Sequence, residues 1–199
     1  GHDFEPVGQA ALCWAAEDAL LVSDLHLEKA SSYAKTSGQM LPPYDSAATL
    51  LELRALADDC GAGRIICLGD NFHDDDGEQR LCGDAADMLS DLTHIYDWHW
   101  IVGNHDPGIG NRWGGSVHRE MEIGGVMLRH NIAARDMRPE ISGHFHPKIK
   151  LKARGRRVSR RCFMQSGNRM IMPAFGAYTG GMDVSEICEL LPDFANGTV

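Results

Sequence analysis

Five short apolar segments of this chain are each followed at once by side chains that can bind a metal ion. The segments span residues 19–23, 64–68, 98–102, 124–129 and 140–142. Their length and their branched residues predict strands that are buried on both faces. Ligand sites in open α/β sheets form at the carboxyl ends of the strands, so five such ends would bring their polar side chains together. The sequence therefore predicts one shared site at the edge of a sheet.

The segments between the first three predicted strands have the features of helices. Asp45 is placed to cap a helix and Gly61 to end it. A second helix is predicted over residues 78–94. Strands that alternate with helices predict right-handed crossovers onto a largely parallel sheet.

Strand signals dominate the chain after the third predicted strand. The pair Gly124-Gly125 separates two strand-like runs and predicts a hairpin, and Gly155 predicts another hairpin within residues 148–161. We therefore expect a second sheet packed on the first, with residues 1–199 forming a single domain.

The side chains that follow the five segments are carboxylates, imidazoles and one amide, which together suit Mn, Fe or Zn. Two metal ions about 3.5–4 Å apart need a shared ligand, and a carboxylate can bridge them. An isolated Asp-x-His or His-x-His is weak evidence, but five clusters in this order are hard to attribute to chance. The candidate ligands are Asp24, His26, Asp70, Asn104, His130, His144 and His146.

The order of these motifs resembles the signature of the calcineurin-like metallophosphoesterases, which reads D-x-H, G-D, G-N-H-[DE], a lone H and G-H-x-H. Further stretches resemble a bacterial branch of that family, the ligase-associated DNA damage response endonucleases. These stretches are "SDLHLEKASSYA", "LPPYDS", "LGDNFHD", "GHFHPK" and "PAFGAYTGG". The signature itself falls at Asp24 and His26, at Gly69-Asp70, at Gly103 to Asp106, at His130, and at Gly143 to His146.

The resemblance implies a four-layer α/β/β/α sandwich, in which helices flank two mixed β-sheets. It also implies two divalent metal ions, for which we expect manganese, with iron and zinc as the alternatives. One ion would be held by Asp24, His26, Asp70 and His146, and the other by Asp70, Asn104, His130 and His144.

The resemblance implies a mechanism as well. A hydroxide bound to the metals would attack phosphorus, and His105 would stabilise the transition state or protonate the leaving oxygen. Many family members place an Asp three residues after the bridging Asp to orient this histidine. Here that position is His73, so we assign the orienting role to the next residue, Asp74. A second departure is Arg129 before His130, where the family commonly has glycine.

Basic residues are concentrated in one segment. The net charge of −9 argues against nucleic-acid binding, since phosphate contacts need Lys and Arg, but residues 148–161 contain eight of the 19 basic residues and no acidic ones. This segment begins two residues after His146, so it leaves the predicted metal site directly. The alternative is an edge hairpin whose lysines prevent aggregation. We expect substrate contacts from Lys148, Lys150, Lys152 and Arg154.

The function that these features favour is a DNA endonuclease linked to DNA repair, with a DNA ligase complex as the partner that the resemblance implies. The alternative is an enzyme acting on small phosphoesters, such as cyclic nucleotides or nucleotide-linked lipid precursors. A non-catalytic scaffold is disfavoured because such scaffolds lose ligands, whereas this chain keeps all of them. Six cysteines without a CxxC pair, and no apolar run of the roughly 18 residues that a membrane span needs, favour the cytoplasm.

Overall fold

The computed structural model describes residues 2–133, 136–153 and 155–199. The strands in this part of the chain are Glu5–Val7 (β1), Ala11–Trp14 (β2), Ala19–Val22 (β3), Arg64–Leu68 (β4), Asp97–Ile101 (β5), Ser116–His118 (β6), Glu120–Ile123 (β7), Val126–Arg129 (β8), Glu140–Ser142 (β9), Lys148–Ala153 (β10), Arg156–Arg161 (β11), Met164–Ser166 (β12) and Arg169–Ile171 (β13). The α-helices are Lys29–Thr36 (α1), Asp45–Cys60 (α2), Gly77–Arg80 (α3), Gly83–Ile95 (α4) and Val184–Leu190 (α5). Short 3₁₀ helices span Ala15–Glu17 and Pro192–Phe194.

The first sheet has the strand order β1-β2-β3-β4-β5-β6. Its first two pairs are antiparallel, and β3 to β6 run parallel to one another. The first three apolar segments are therefore adjacent parallel strands, as predicted. Within β3, Leu20 and Val22 face one apolar cluster while Leu21 faces another. This two-residue alternation explains why an unbroken apolar run was needed, because both faces of the sheet are covered.

The second sheet has the order β12-β13-β9-β8-β7. Its three inner strands are parallel and its two outer pairs are antiparallel, so this sheet is also mixed. The fourth and fifth apolar segments form β8 and β9. The predicted hairpin joins β7 to β8, and its turn uses Gly124 and Gly125 with φ of 56° and 78°, a left-handed conformation that glycine adopts without steric cost.

Three apolar clusters define the layers. The first cluster joins the buried leucines of α2 and α4 to one face of the first sheet. The second fills the space between the two sheets. The third packs α5 and the last 3₁₀ helix against the second sheet. This arrangement confirms the predicted sandwich of two mixed sheets flanked by helices. Among the residues described, no helix combines the length and apolar composition that crossing a lipid bilayer requires.

The prediction that Asp45 caps α2 is wrong. The helix begins at Asp45 itself, with Tyr44 as its N-cap, and the Asp45 carboxylate instead accepts a hydrogen bond of 3.0 Å from the Ala30 N–H. That bond satisfies a main-chain donor in the first turn of α1. Gly61 ends α2 as predicted, with φ of 62°.

The single helix predicted over residues 78–94 is in fact two helices, α3 and α4. Leu81 and Cys82 between them take extended conformations, with ψ of 124° and 174°. Leu81 is buried in the cluster beneath the first sheet, and Gly83 enters α4 with a left-handed φ of 60°. The break therefore coincides with a buried leucine and with a glycine in a conformation that a helix interior does not use.

Candidate metal centre

The predicted ligands lie just after the ends of five strands, β3, β4, β5, β8 and β9. The Asp24 N–H, after β3, donates to the Gly69 carbonyl at 3.1 Å. From the second sheet, the His144 N–H donates to Asp24 Oδ2 at 3.1 Å. The first bond joins two loops of the first sheet and the second joins the two sheets, so the site forms where both sheets meet.

The first group of candidate ligands contains Asp24, His26, Asp70 and His146, whose ligand atoms all lie within 4.8 Å of one another. His146 Nε2 is 3.1 Å from Asp24 Oδ1 and 3.4 Å from His26 Nε2. His26 Nε2 is 3.8 Å from Asp70 Oδ2. Two carboxylates and two imidazoles at this spacing could hold one divalent transition-metal ion.

The second group contains Asp70, His130 and His144, again with all ligand atoms within 4.8 Å. Asn104 adjoins it, because its Oδ1 lies 2.9 Å from His130 Nε2. His130 Nε2 is also 3.1 Å from His144 Nδ1 and 3.4 Å from Asp70 Oδ1. Asp70 belongs to both groups, which is what a bridging carboxylate requires.

The main chain determines which nitrogen of His130 faces this group. His130 Nδ1 lies 2.9 Å from the Leu68 carbonyl, and a carbonyl oxygen only accepts, so Nδ1 carries a hydrogen. In the neutral ring, Nε2 then directs a lone pair towards the Asn104, Asp70 and His144 acceptors. Such facing lone pairs repel one another unless a proton on Nε2 or a metal ion lies between them. The residues present therefore fit a metal ion.

Burial and charge set the protonation of these groups. Burial lowers the pKa of His26 to about 3 and also lowers the pKa of His144, so both rings are neutral ligands at neutral pH. Burial opposes protonation of His130 too, but the carboxylates of Asp70 and Asp24 outweigh it and raise its pKa to about 9. A metal ion at this site therefore displaces a proton. Burial disfavours the ionised forms of Asp24 and Asp70. The histidines that face these two carboxylates nevertheless hold their pKa values below the ordinary value.

The backbone of the site is strained. Positive φ costs a non-glycine residue about 1–2 kcal/mol, because Cβ approaches the following carbonyl oxygen. Seven non-glycine residues in the described part of the chain have positive φ, and five of them are candidate ligands: Asp24, His26, Asp70, His144 and His146. Strain of this kind concentrates at functional sites. Here it accompanies the turns that bring side chains from separate strands together.

The glycines before Asp70 and His144 are needed for close packing. A Cβ at Gly69 would lie 2.5 Å from His130 Nδ1, and a Cβ at Gly143 would overlap the Ser23 hydroxyl. Neither neighbour can move away without disturbing a candidate ligand, since Ser23 Oγ itself donates to Asp24 Oδ2.

His105 lies beside both groups with one ring nitrogen free. Its main-chain N–H donates to Asp70 Oδ1 at 2.8 Å, and its Nδ1 donates to the His73 carbonyl at 2.9 Å. The remaining Nε2 is 4.0 Å from Asp70 Oδ2. The His105 side chain is 42% exposed, so a substrate can reach it, and the His73 ring stacks on it with centroids 5.3 Å apart.

Asp74 does not take the orienting position predicted for it. Its carboxylate forms a bidentate pair with Arg80, at 2.7 and 2.9 Å. Burial opposes ionisation of Asp74, but the Arg80 hydrogen bonds hold its pKa at about 2. The group that orients His105 is instead the main-chain carbonyl of His73.

Arg129, the second departure from the family pattern, is accommodated by carboxylates of the second sheet. Its guanidinium lies 2.9 Å from Asp136, 3.4 Å from Glu140 and 3.5 Å from Glu120. The charge is therefore compensated outside the metal groups, and His130 keeps its predicted place.

Asp106 fastens together the loops that carry the candidate ligands after β4 and β5. Its Oδ2 accepts hydrogen bonds from the Asn71 N–H and Nδ2 at 2.9 Å and from the Phe72 N–H at 3.2 Å. Its Oδ1 accepts from the Gly103 N–H at 3.0 Å. Burial raises the pKa of Asp106 to about 6. Sequence reasoning gave neither Asp106 nor Asn71 a role; the only signals were that Asp106 ends the G-N-H-[DE] motif and that Asn71 directly follows Gly69-Asp70.

The two groups open into a cleft of about 520 Å³. Lys29 and Tyr33 of α1 form one wall, and Gly180 and Gly181 from the glycine-rich loop at residues 173–181 form another. Burial lowers the pKa of Lys29. Its Nζ lies 5.7 Å from the centroid of the Tyr33 ring, and Lys29 forms no ion pair within the residues described. A half-buried cation beside the metal groups suits a substrate phosphate. In the sequence, the only sign of this role was that Lys29 lies close to the Asp24-x-His26 motif.

The basic segment forms the predicted hairpin of β10 and β11, with Lys148 opposite Arg161. Lys148, Lys150 and Lys152 lie on one face of β10, because alternate residues share a face. Lys148 Nζ donates to the Thr179 carbonyl at 3.3 Å. The other two lysines are exposed.

Lys150 is also engaged within the protein, with its Nζ 3.2 Å from Asp183 Oδ2. Lys152 has no partner in the part of the chain that the structure describes. Arg154, the fourth predicted substrate contact, lies outside the described residues.

Comparison with solved structures supports the fold that these contacts build. The Pseudomonas putida nuclease MPE is 27% identical, with 92% of each chain covered and a TM-score of 0.71. Yfce, a phosphoesterase from E. coli, is 15% identical over 82% of this chain and 83% of that one, with a TM-score of 0.46 that is too low to support a structural argument. No protein of curated function is significantly similar in sequence.

The sequence model for the calcineurin-like phosphoesterases matches residues 19–148, a stretch that contains every candidate metal ligand. Those ligands form two groups around a shared carboxylate, in the order that the motifs predict. The chain belongs to the calcineurin-like phosphoesterase family and is a metal-dependent phosphoesterase hydrolase.

Proposed function

We propose that the chain is a two-metal phosphodiesterase that cleaves the backbone of DNA, with manganese as its ion. The observation that carries this proposal is the arrangement around Asp70, which belongs to two groups of candidate ligands beside an accessible His105. One ion would be held by Asp24, His26, Asp70 and His146, and the other by Asp70, Asn104, His130 and His144. When bound, such ions activate water and polarise a phosphoryl oxygen.

The chain's own residues would orient the substrate and move the proton. Lys29 would bind a non-bridging phosphate oxygen in the cleft. His105, whose Nδ1 is occupied by the His73 carbonyl, would present Nε2 to the leaving oxygen and donate a proton there. Asp74 would hold the segment between β4 and α3 in place through its ion pair with Arg80, without contacting the reacting atoms.

The basic hairpin supports a nucleic-acid substrate over a small phosphoester. It begins two residues after His146, a candidate ligand, and its Lys150 and Lys152 are exposed to solvent. A solved structure that resembles this chain over 92% of its length is described as a nuclease. A role in DNA repair beside a DNA ligase is part of the proposal, and it rests only on the resemblance of the motifs and flanking stretches.

The test is a parallel assay of the manganese-loaded protein on single-stranded DNA, duplex DNA, a small phosphodiester and a phosphomonoester. We expect cleavage of DNA and of the small phosphodiester. The Asp70→Asn variant, purified identically, controls for contaminating nucleases. Hydrolysis of the monoester alone would reject the proposal, and hydrolysis of the small diester without DNA cleavage would favour the small-substrate alternative.

The contribution of the hairpin is tested with Lys150→Gln and Lys152→Gln together. Lys148 is left intact because it also holds the glycine-rich loop. Each phosphate contact contributes about 0.7–0.9 to the slope of log affinity against log salt. We therefore expect weaker DNA binding and a slope flatter by about 1.5 in the double variant. An unchanged slope would support the alternative that these lysines only protect a sheet edge.

A further inference from the structure

A second cleft, of about 800 Å³, borders the glycine-rich loop at Phe175 and Ala177. The cleft of the metal centre borders the same loop at Gly180 and Gly181. None of the candidate metal ligands lines the second cleft. Its other walls are the turn between β1 and β2, the outer face of α2, and the base of the basic hairpin.

Three cations line this second cleft: Lys148, Arg160 and Arg161. Lys148 and Arg161 are directly opposite each other across the hairpin, a placement that is destabilising for like charges. Burial lowers the pKa of both. None of the three forms an ion pair with a carboxylate anywhere in the residues described. The acidic side chain lining the cleft, Glu52, lies on the opposite wall and is exposed.

Main-chain carbonyls hold two of these cations in place. Arg161 donates from Nη1 to the Phe175 carbonyl at 3.0 Å and from Nη2 to the Gly176 carbonyl at 2.6 Å. Lys148 Nζ donates to the Thr179 carbonyl at 3.3 Å. Neutral carbonyls satisfy the hydrogen bonds but do not cancel the charges. Two half-buried, pre-oriented positive charges are therefore available to an anion.

One side chain connects the second cleft to the cleft of the metal centre. A Cβ at Gly181 would lie 2.7 Å from Lys148 Cδ and 2.8 Å from its Cε. The stem of Lys148 thus packs behind a wall of the metal cleft, and the same residue also lines the second cleft. A chain of phosphates passing over the glycine-rich loop would meet both.

We propose that the second cleft binds a phosphate of the nucleic-acid strand whose scissile phosphate lies at the metal centre. This inference rests on the proposed function, since it assigns a second contact to the same substrate. Phosphate is the group expected because a guanidinium and an ammonium on adjacent strands match an anion with several acceptor oxygens. The contact would set the length of strand that the enzyme needs for tight binding.

The experiment measures binding of fluorescein-labelled oligodeoxynucleotides of increasing length to the protein kept metal-free with chelator. Lys148→Gln should weaken binding of the longer strands about tenfold, as expected for loss of a partly buried charge-assisted hydrogen bond. Arg160→Gln, at an exposed position, should weaken it about threefold. Glu52→Gln removes a repulsive charge and should tighten binding about twofold.

The matched control is Arg119→Gln, which removes the same charge from an exposed position outside both clefts. If Arg119→Gln weakens binding as much as Arg160→Gln, or if Glu52→Gln does not tighten it, only the overall charge matters and the inference is wrong. If a mononucleotide or inorganic phosphate occupies the cleft as tightly as a long strand binds, the site takes a small phosphate and the inference is also wrong.

Failure of this inference can be told from failure of the proposed function. Binding is measured without metal, so it does not depend on hydrolysis. A protein that cleaves DNA but binds equally in all variants would refute the second cleft alone. A protein that shows the expected variant effects but cleaves no DNA when loaded with manganese would refute the proposed function alone.

Discussion

Replacing Asp106 with alanine should destabilise the fold and disturb the candidate metal centre, although Asp106 is not one of the proposed ligands. The carboxylate accepts four hydrogen bonds that join the loops after β4 and β5. In the alanine variant, the Asn71 side chain keeps its bond to the Ile101 carbonyl at 2.9 Å. The main-chain N–H groups of Asn71, Phe72 and Gly103 lose their partner.

The magnitude follows from these three donors. Each unsatisfied buried donor costs about 1–3 kcal/mol, and water entering the space left by the carboxylate recovers part of that cost. We expect the free energy of unfolding to fall by about 3–5 kcal/mol, a large share of the roughly 5–15 kcal/mol typical of a domain. Asp106→Asn keeps one acceptor oxygen but turns an amide towards a main-chain donor, so we expect a smaller loss of about 1–2 kcal/mol.

The assay is equilibrium unfolding in urea at about pH 8. This pH lies above the raised pKa of Asp106, about 6, so the carboxylate is ionised. Asp87→Ala, on the exposed face of α4, is the matched control and should change stability by less than about 0.5 kcal/mol. Metal content of the manganese-soaked variants is measured in parallel. If Asp106→Ala is as stable as the control, the hydrogen-bond reasoning is refuted.

Three further predictions concern the site itself. Asp70→Asn should lower metal content at both sites, whereas Asn104→Ala should mainly weaken one. If elemental analysis finds at most one ion in the unaltered protein after manganese soaking, the bridging role of Asp70 is contradicted. His105→Ala should keep its metal content but lose about 10²–10⁴-fold in turnover, so full activity or loss of metal would show that the assigned role is wrong. Asp74→Ala, Arg80→Ala and the double variant should lower turnover by similar amounts, because either change breaks the same ion pair. A much larger loss in Asp74→Ala than in Arg80→Ala would restore a direct catalytic role for Asp74.

The clustering of the candidate ligands could be expected from the sequence, because six of them belong to short motifs that follow strands and His130 itself ends the strand-like segment before it. A buried strand has a strong local signal, and parallel strands bring their carboxyl ends to one edge. The spacing of Asp24 and His26, or of His144 and His146, then needs no knowledge of distant residues. In the structure, six of the seven side chains form two groups that share Asp70, and each group could hold one metal ion.

The surroundings of those ligands were less predictable. Asp74 was assigned to His105 from a position in the sequence, but Arg80 at the end of α3 competes for the same carboxylate. The end of α3 at Arg80 is set by the break at Leu81 and Cys82, where a buried leucine precedes the left-handed Gly83. Asp106 likewise reads as part of a ligand motif until its four donors are seen.

The sequence by itself determined that a second sheet packs on a largely parallel one, the order of the strands that carry the motifs, and the choice of candidate ligands. These features depend on residue types and on spacing within a few residues. Only the tertiary structure decided what orients His105, how Asp106 joins two loops, and how main-chain carbonyls hold Lys148 and Arg161 beside a second cleft. Each of these is a contact between residues far apart in the chain. Such contacts form wherever packing brings polar groups together and excludes water, and no local pattern records which partners will meet.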